Sequence, residues 1–348
     1  FMMTRVLARR FREGDEIIIT AMEHDGNNTP WRTMAAEHGL VVKTLPFDRD
    51  TYEFDLAQLA ALITDRTRFA AINYASNLLG TINDVKAMCA TLRAAGALTY
   101  VDAVQFAPHG AIDVQDLGCD FLVASAYKFY GPHQGILWGR QELLQELPAY
   151  KLSVVADEPP GKFETGTQNH EGIAGTLAAV NHLAGIGERY GAGYRDCYPG
   201  LAGRRLNLKT GMAVLRAYDA DLGAAILDEL ETLPGVRIHG IADRSRLSER
   251  VPTVSFTWQD RHPREIAAAL GKQGIFVWDG NYYALAVTTA EDGKTTVAIR
   301  SSDAVGAYFG IRTLIQLLDR VPEGVTIRQA EVRDWPTFTL RMFKGQCW

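Results

Sequence analysis

The sequence predicts an α/β fold: a mostly parallel sheet with helices on both faces, followed by a small C-terminal α+β domain. Three observations carry this. Between Glu16 and Gly139, apolar runs of strand length alternate with helical stretches of roughly ten residues, the pattern of repeated βαβ units. The chain has 348 residues, more than one ordinary domain needs. Beyond Leu233 the runs become short strands with a helix among them, which suits helices packed on one face of a small sheet.

Taken in order, Met3, Val6, Leu7 and Phe11 share one face of an opening amphipathic helix, with arginines on the other. The pattern is that of a helix caught in mid-sequence, so the chain is expected to begin inside a larger protein. Glu16–Thr20 is a β-branched run and reads as a buried strand. A polar loop, AMEHDGNNTPW, leads into a helix near Pro30, an early helical position that tolerates proline. Leu40–Leu45 is the next strand, Asp55–Ile63 a helix, Arg68–Asn73 a strand and Asp84–Ala95 an amphipathic helix closed by Gly96. Ala97–Val101, Phe121–Ala124 and Gly135–Trp138 complete the strands of this half. A glycine-punctuated loop, Gly161–Gly175, precedes a long helix starting near Ile173, and Leu201–Leu233 reads as helical over most of its length. Val236–His239, Thr253–Trp258, Ile275–Trp278 and Thr295–Ile299 read as strands, Pro263–Gln273 and Ala307–Leu318 as helices. From Glu331 the periodicity fades, and Trp335 to Trp348 reads as a loose tail. The expected division is a large ligand-binding domain over 1–200, a connecting helical region over 201–233, a small domain over 234–325 and a tail over 326–348.

Composition narrows the function classes. A hydrophobic content of 47% with 22% charged residues is ordinary for a globular protein. A net charge of -5 with no basic stripe argues against nucleic-acid binding. No run approaches the length of a transmembrane helix, and the start lacks the pattern of a signal peptide. The four cysteines have neither CxxC spacing nor a disulfide-framework pattern; Cys89 and Cys119 lie in apolar surroundings and read as buried thiols. A reducing, cytoplasmic setting fits, and no metal site is expected.

The chemistry concentrates at strand ends. In a parallel sheet, ligands sit beyond the carboxyl ends of the strands. Asp102 ends one strand, and Ser125-Ala126-Tyr127-Lys128 follows another. Lys128 alone reads as a surface lysine, but Tyr127, Phe129 and Tyr130 surround it, and an amine in a partly dry setting is more readily neutral. An unpaired Asp102 between apolar stretches would be costly and wants a permanent partner. A lysine and an aspartate flanking a flat heteroaromatic ring suit pyridoxal 5'-phosphate, with an imine at the lysine and a carboxylate at the pyridine nitrogen. Ser125 offers a phosphate hydrogen bond, or is an ordinary strand-end serine. His24 follows the Glu16–Thr20 strand and Asn77 the Arg68–Asn73 strand; each alone is an ordinary loop residue. Together, four strand ends present polar residues on one edge.

On these residues the chain resembles the class V aminotransferases of pyridoxal-phosphate fold type I, within them the cysteine-desulfurase-like subgroup. The matching pieces are EHDGNNTPW, SNLLGTIND, VDAVQ, SAYKFYGPHQGILWG and FETGTQN, in the family's order and spacing up to about Gly280. The resemblance implies a seven-stranded type of sheet and an enzyme acting on an amino acid. It implies that Lys128 forms the Schiff base, Asp102 pairs with the pyridine nitrogen and His24 stacks on the ring. Asn77 and Gln105 would bond the ring hydroxyl side, with Asn77 also bordering the substrate. Ser125 and Tyr127 would reach the phosphate of the same subunit, though Tyr127 stands where many desulfurases have histidine. Thr167 would reach the phosphate across a homodimer interface, and Arg300 would clamp the substrate carboxylate.

The departures bear on the reaction. Where desulfurases carry the sulfur-accepting cysteine, this chain reads GIFVWDGNYYAL, with Tyr283 at that position. The segment after Arg300, SSDAVGAYFG, lacks the family's Tyr-Asn-Thr. The family's phosphate loop and N-terminal arm lie ahead of the helix in which this chain begins. Alongside desulfuration, the readings are therefore a C–S lyase or aminotransferase without desulfurase activity, and a non-catalytic or truncated scaffold.

Overall fold

Ile17 and Ile19 point to one face of the sheet and Ile18 to the other, and all three are fully buried. Strand side chains alternate between faces. A strand that is apolar throughout therefore demands cover on both sides, as parallel sheets generally do. In the computed structural model, which describes residues 1–164, 166–259, 261–279 and the backbone of six further strands from Tyr283 to Met342, that cover is present.

By their contacts the residues form two units, 1–226 with 240–252, and 227–239 with 253–348. The first opens with α1 (Met2–Ala8), β1 (Glu16–Thr20), α2 (Thr29–Glu37), β2 (Val41–Leu45), α3 (Leu56–Leu62) and β3 (Thr67–Asn73). It continues with α4 (Val85–Ala94), β4 (Leu98–Asp102), α5 (Val114–Leu117), β5 (Phe121–Ser125), β6 (Gly135–Gly139), α6 (Gln141–Glu146) and α7 (His170–Tyr190). The sheet order is β2-β1-β3-β4-β5-β6; every pairing is parallel except that of the edge strand β6 with β5. On one face, Met3, Leu7, Trp31 and Met34 of α1 and α2 pack on Ile17, Ile19, Phe69 and Phe121. On the other, Leu59, Val85, Met88 and Leu92 of α3 and α4 pack on Ile18, Ala70, Ile72 and Val101. Helix starts follow the sequence: Asp55 and Asp84 accept the backbone N–H groups of Ala57 and Ala87 and so cap α3 and α4.

The mostly parallel α/β architecture thus holds, with one correction to its count. The sheet has six strands among the described residues, not seven. Six is the number of strand-length apolar runs between Glu16 and Gly139; the seventh rested on the resemblance, and no further run in the described residues supplies it.

Glu16, at the start of β1, is 2% exposed and joins three strands. It accepts from Lys43 of β2 (2.6 Å), Thr64 (2.6 Å), Thr67 of β3 (3.1 Å) and Arg66 (3.2 Å). Burial alone would raise its carboxyl, but these donors outweigh it and hold it down at about 2. A depressed carboxyl contributes stability that is complete above its ordinary value of 4.5 and is lost as pH falls through that value toward 2. Glu16→Gln is expected to cost about 3 kcal/mol, the low end for breaking one side of a buried pair, because Lys43 and Arg66 keep some contact with water. It should also flatten the acid limb of the stability curve between those pH values, which urea melts across the range would measure.

The helix α8 (Gly203–Glu231) follows, and the second unit carries β7 (Val236–His239), β8 (Val254–Trp258) and α9 (Pro263–Lys272). Its remaining strands are β9 (Tyr283–Thr289), β10 (Thr295–Ser301), β11 (Leu318–Val321), β12 (Gly324–Ile327), β13 (Ala330–Asp334) and β14 (Leu340–Met342). β7, β8 and β14 form one antiparallel sheet, β10, β9 and β13 another, and β11 with β12 a hairpin. Two expectations change here. Ile275–Trp278 is not a strand: Ile275 and Phe276 are exposed, so no layer rewards pairing, and only Trp278 makes an isolated bridge. Within the segment read as a tail, Leu340–Met342 pairs with Phe256, Ser255 and Val254 of β8. Most of the helix expected over Ala307–Leu318 lies outside the described residues, and Leu318 itself opens β11.

Candidate active site

Four neighbouring strands of the parallel sheet, β1, β3, β4 and β5, end on the same edge, and each end carries one of the polar residues singled out above. The order reverses beside β1, where β2 lies on one side and β3 on the other. Such a switch point opens a crevice beyond the strand ends.

Lys128 lies on a short 3-10 turn, Ala126–Phe129, entered directly from β5. The turn is closed by Tyr130 in a left-handed conformation (φ +70°) and by the Gly131 N–H donating to the Ala126 carbonyl at 2.8 Å. A Cβ on Gly131 would stand 2.8 Å from the Ala126 Cβ and 2.9 Å from its carbonyl oxygen, so the turn that presents Lys128 needs glycine there. Gly131→Ala is expected to destabilise the protein by about 1–3 kcal/mol, the usual cost of overpacking. It should also alter Lys128 labelling by amine reagents; a thermal melt and peptide mapping of the labelled protein would check both.

The Lys128 ammonium stands 5.5 Å from the centre of the Tyr127 ring. Burial lowers its pKa, and the Asp102 carboxylate partly offsets this. Asp102 is 9% exposed; burial raises its pKa, against the opposing pull of the Val104 N–H (2.9 Å) and the fields of His24 and Lys128. Asp102 therefore lies within electrostatic reach of both His24 and Lys128. His24 caps a 3-10 turn, and its Nδ1 accepts the Gly26 N–H at 3.0 Å. An accepting Nδ1 puts the ring proton of the neutral imidazole on Nε2.

The other expected residues are placed as follows. Gln105 is buried one turn past Asp102. Asn77 is half-buried in a turn whose Leu78 and Leu79 N–H groups donate to Ser76 Oγ. Ser125 is half-buried at the end of β5, and Tyr127 is exposed and stacks on His133 with ring centres 5.1 Å apart. Thr167 is exposed on the loop ahead of α7 and makes no hydrogen bond among the described residues. Arg300 and Tyr283 belong to the second unit, where the β9–β10 register sets Arg300 opposite Ala284 and Ser301 opposite Tyr283. Tyr283 opens β9 rather than sitting in a loop, and both side chains lie outside the described residues.

Two residues escaped the sequence reading. Ser76, fully buried, shapes the Asn77 turn. Glu23, beside His24, accepts from Thr20 Oγ1 (2.5 Å) and Asn27 Nδ2 (2.8 Å). Its stem meets solvent but its carboxyl is enclosed, and burial, reinforced by the Asp102 charge, pushes its pKa well up. An acid within three residues of a strand end, with an Asn four further on, was the available signal. The thiols of Cys89 and Cys119 are buried as expected, and burial pushes them up to about 12 and about 11.

The family model for aminotransferase class-V matches residues 1–191, over half of the chain. The chain belongs to the class-V aminotransferase family. Among curated relatives, this class-V member is 32% identical over 285 residues to a cysteine desulfurase of Pectobacterium atrosepticum, a match covering 78% of the chain and 62% of that protein. It is 33% identical over 285 residues to a cysteine desulfurase of Serratia proteamaculans, covering 78% and 63%. Among solved structures, the cysteine desulfurase CsdA (S-sulfonic acid) from Escherichia coli aligns with a TM-score of 0.64 at 27% identity, over 79% of this chain and 64% of that one. Apo cysteine desulfurase from Thermococcus onnurineus NA1 aligns with a TM-score of 0.65 at 27% identity, over 80% and 66%. The chain spans somewhat under two thirds of the length of these relatives.

Proposed function

We propose that this class-V chain acts on an amino acid through pyridoxal 5'-phosphate held by a Schiff base to Lys128. The observation that carries the reading is the convergence of a partly dehydrated amine, a buried carboxylate and an imidazole at strand ends on one edge of the sheet. That donor set fits the cofactor: a primary amine for its aldehyde, an anion for its ring nitrogen, a flat side chain for its ring. When bound, the cofactor supplies an electron sink for the pair left at the substrate's α-carbon.

The residues divide the work. Lys128, its pKa lowered by burial, is neutral more of the time than an exposed lysine, so it can take the α-proton as a general base. Asp102 would set its carboxylate against the ring nitrogen, orienting the ring and holding that nitrogen in its protonated form. His24 presents a ring fixed by its own turn, for stacking. Asn77 and Gln105 would bond the ring hydroxyl side, and Ser125, with Tyr127, the phosphate. Arg300 as the substrate's carboxylate clamp is supported by the resemblance alone.

For the reaction outcome, Tyr283 in place of a cysteine favours transamination or β-elimination, because a phenol forms no persulfide. Desulfuration remains the reading the relatives' names support, and a non-catalytic scaffold is the rival from another class. The retained set Lys128, Asp102, His24 and Asn77 argues against a scaffold, which has no use for all four. The test is to supply alanine, cysteine and cystine with cofactor and follow pyruvate, sulfide and alanine. Pyruvate with sulfide from cysteine supports elimination, and alanine with sulfane sulfur, seen as sulfide once a thiol reductant is added, supports desulfuration. Pyruvate from alanine, dependent on an added 2-oxo acid, supports transamination; no product from any of them overturns the enzyme reading.

A homodimer, with Thr167 reaching the partner's cofactor phosphate, is part of the same reading. Its support is the exposure of Tyr150, Leu152, Val154, Ile173 and Leu177, several of them flanking the Thr167 loop. Sedimentation should give twice the chain mass, and Leu177→Asp should shift it toward the monomer. No helix among the described residues is long and apolar enough to cross a membrane. Free buried thiols at Cys89 and Cys119 support a reducing, cytoplasmic setting.

A further inference from the structure

The His24 residue is exposed, and the 3-10 turn that it caps, Asp25–Asn27, is three residues long. So short a helical segment does not hold its shape by propensity; contacts beyond it must fix it. Glu23 supplies such contacts. Its carboxyl reaches back to the end of β1 with one oxygen and forward past His24 with the other. Oε1 accepts from Thr20 Oγ1 at 2.5 Å, and Oε2 from Asn27 Nδ2 at 2.8 Å. Both partners are anchored. Thr20, 2% exposed, also accepts the Asn73 N–H of β3 at 3.1 Å. Asn27 is buried too, and its Oδ1 accepts from Trp31 Nε1 of α2 at 2.8 Å. The Trp31 ring lies in the core, its centre 4.3 Å from that of Phe69. Hydrogen bonds thus run from β3 through Thr20, Glu23 and Asn27 to α2, spanning the His24 turn.

Their directions are constrained. An indole N–H only donates, so the Asn27 carbonyl oxygen must face Trp31 and its amide nitrogen Glu23. Oε2 of Glu23 therefore has to accept. Burial and the Asp102 charge favour the protonated carboxyl. That proton belongs on Oε1, reversing the bond to the Thr20 hydroxyl, because Oε2 faces a donor. A glutamine reproduces this pattern, with its carbonyl toward Asn27 and its amide nitrogen toward Thr20. An alanine leaves the Asn27 amide without its partner.

We propose that Glu23 is the positioning residue for His24: by tying Asn27 to Thr20 it fixes the turn that presents the imidazole to the cofactor ring. The use of that imidazole rests on the cofactor reading above; the positioning rests on the hydrogen bonds alone. Diethyl pyrocarbonate tests the positioning on the purified chain with cofactor removed. It acylates the unprotonated ring nitrogen, which at His24 is the Nδ1 engaged by the Gly26 N–H at 3.0 Å. Peptide mapping should find His24 acylated at least about tenfold faster in Glu23→Ala, the equivalent of one lost buried hydrogen bond, and near the parent's rate in Glu23→Gln. Titration with pyridoxal phosphate tests the consequence. Glu23→Ala should bind about tenfold more weakly than the parent, yet lose nothing further when combined with His24→Ala. The proposal is overturned if acylation is as slow in Glu23→Ala as in the parent, or as fast in Glu23→Gln as in Glu23→Ala. It is also overturned if Glu23→Ala keeps the parent's cofactor affinity, or if the losses from Glu23→Ala and His24→Ala add. A parent chain that takes up no cofactor overturns the cofactor reading instead, and the acylation rates then decide on Glu23. Should Glu23→Ala not fold, Asn27→Ala cuts the same tie from its other side, and parent-like acylation there overturns the proposal.

Discussion

Lys128→Ala is expected to abolish turnover of any amino acid the protein accepts, by at least about 10²–10⁴-fold, the range a positioned general base supplies. The expectation rests on the lysine's setting. Its turn is fixed by the Gly131–Ala126 bond, its amine stands beside the Tyr127 ring, and burial depresses its pKa against the opposing Asp102. A surface lysine would titrate normally and its loss would cost nothing. The variant should melt close to the parent, because Lys128 is not part of either core cluster that covers the sheet. Product release from the best substrate, compared between parent and variant at equal cofactor loading, measures the effect; retained turnover would remove Lys128 from the mechanism.

Asp102→Asn carries the second large effect. The change keeps shape and removes charge. A charge-assisted hydrogen bond is worth about 1.5–3 kcal/mol, so cofactor affinity should fall about 10–100-fold, read by titrating the apoprotein with pyridoxal phosphate. A second consequence needs no cofactor. The carboxylate is what opposes the burial-driven lowering of the Lys128 pKa. Removing it should move the pH midpoint of Lys128 acylation further down. A midpoint that stays or rises would mean that the two groups are not coupled.

The large unit was legible because its strands obey one rule. Runs such as Glu16–Thr20 and Thr67–Asn73 are buried on both faces, so their residues are apolar nearly throughout, and their polar ends stand out. Asp102 and Lys128 could be paired from sequence for that reason. What escaped was the support beneath them. Glu23 and Ser76 look like loop residues until the fold encloses them, and burial is not written in local pattern. In the second unit, Ile275–Trp278 has strand composition, but composition pairs nothing without a neighbouring edge. The seventh strand was an inference from kinship, and the described residues form six.

The central claim is that Lys128 holds the cofactor covalently, and reductive trapping tests it most directly. Purified chain is mixed with pyridoxal phosphate, reduced with borohydride, digested and mapped by mass. The account predicts a single dominant phosphopyridoxyl group, on the peptide carrying Lys128, absent from Lys128→Ala and sharply reduced in Asp102→Asn. Label spread over surface lysines, or concentrated on any lysine other than Lys128, would contradict it.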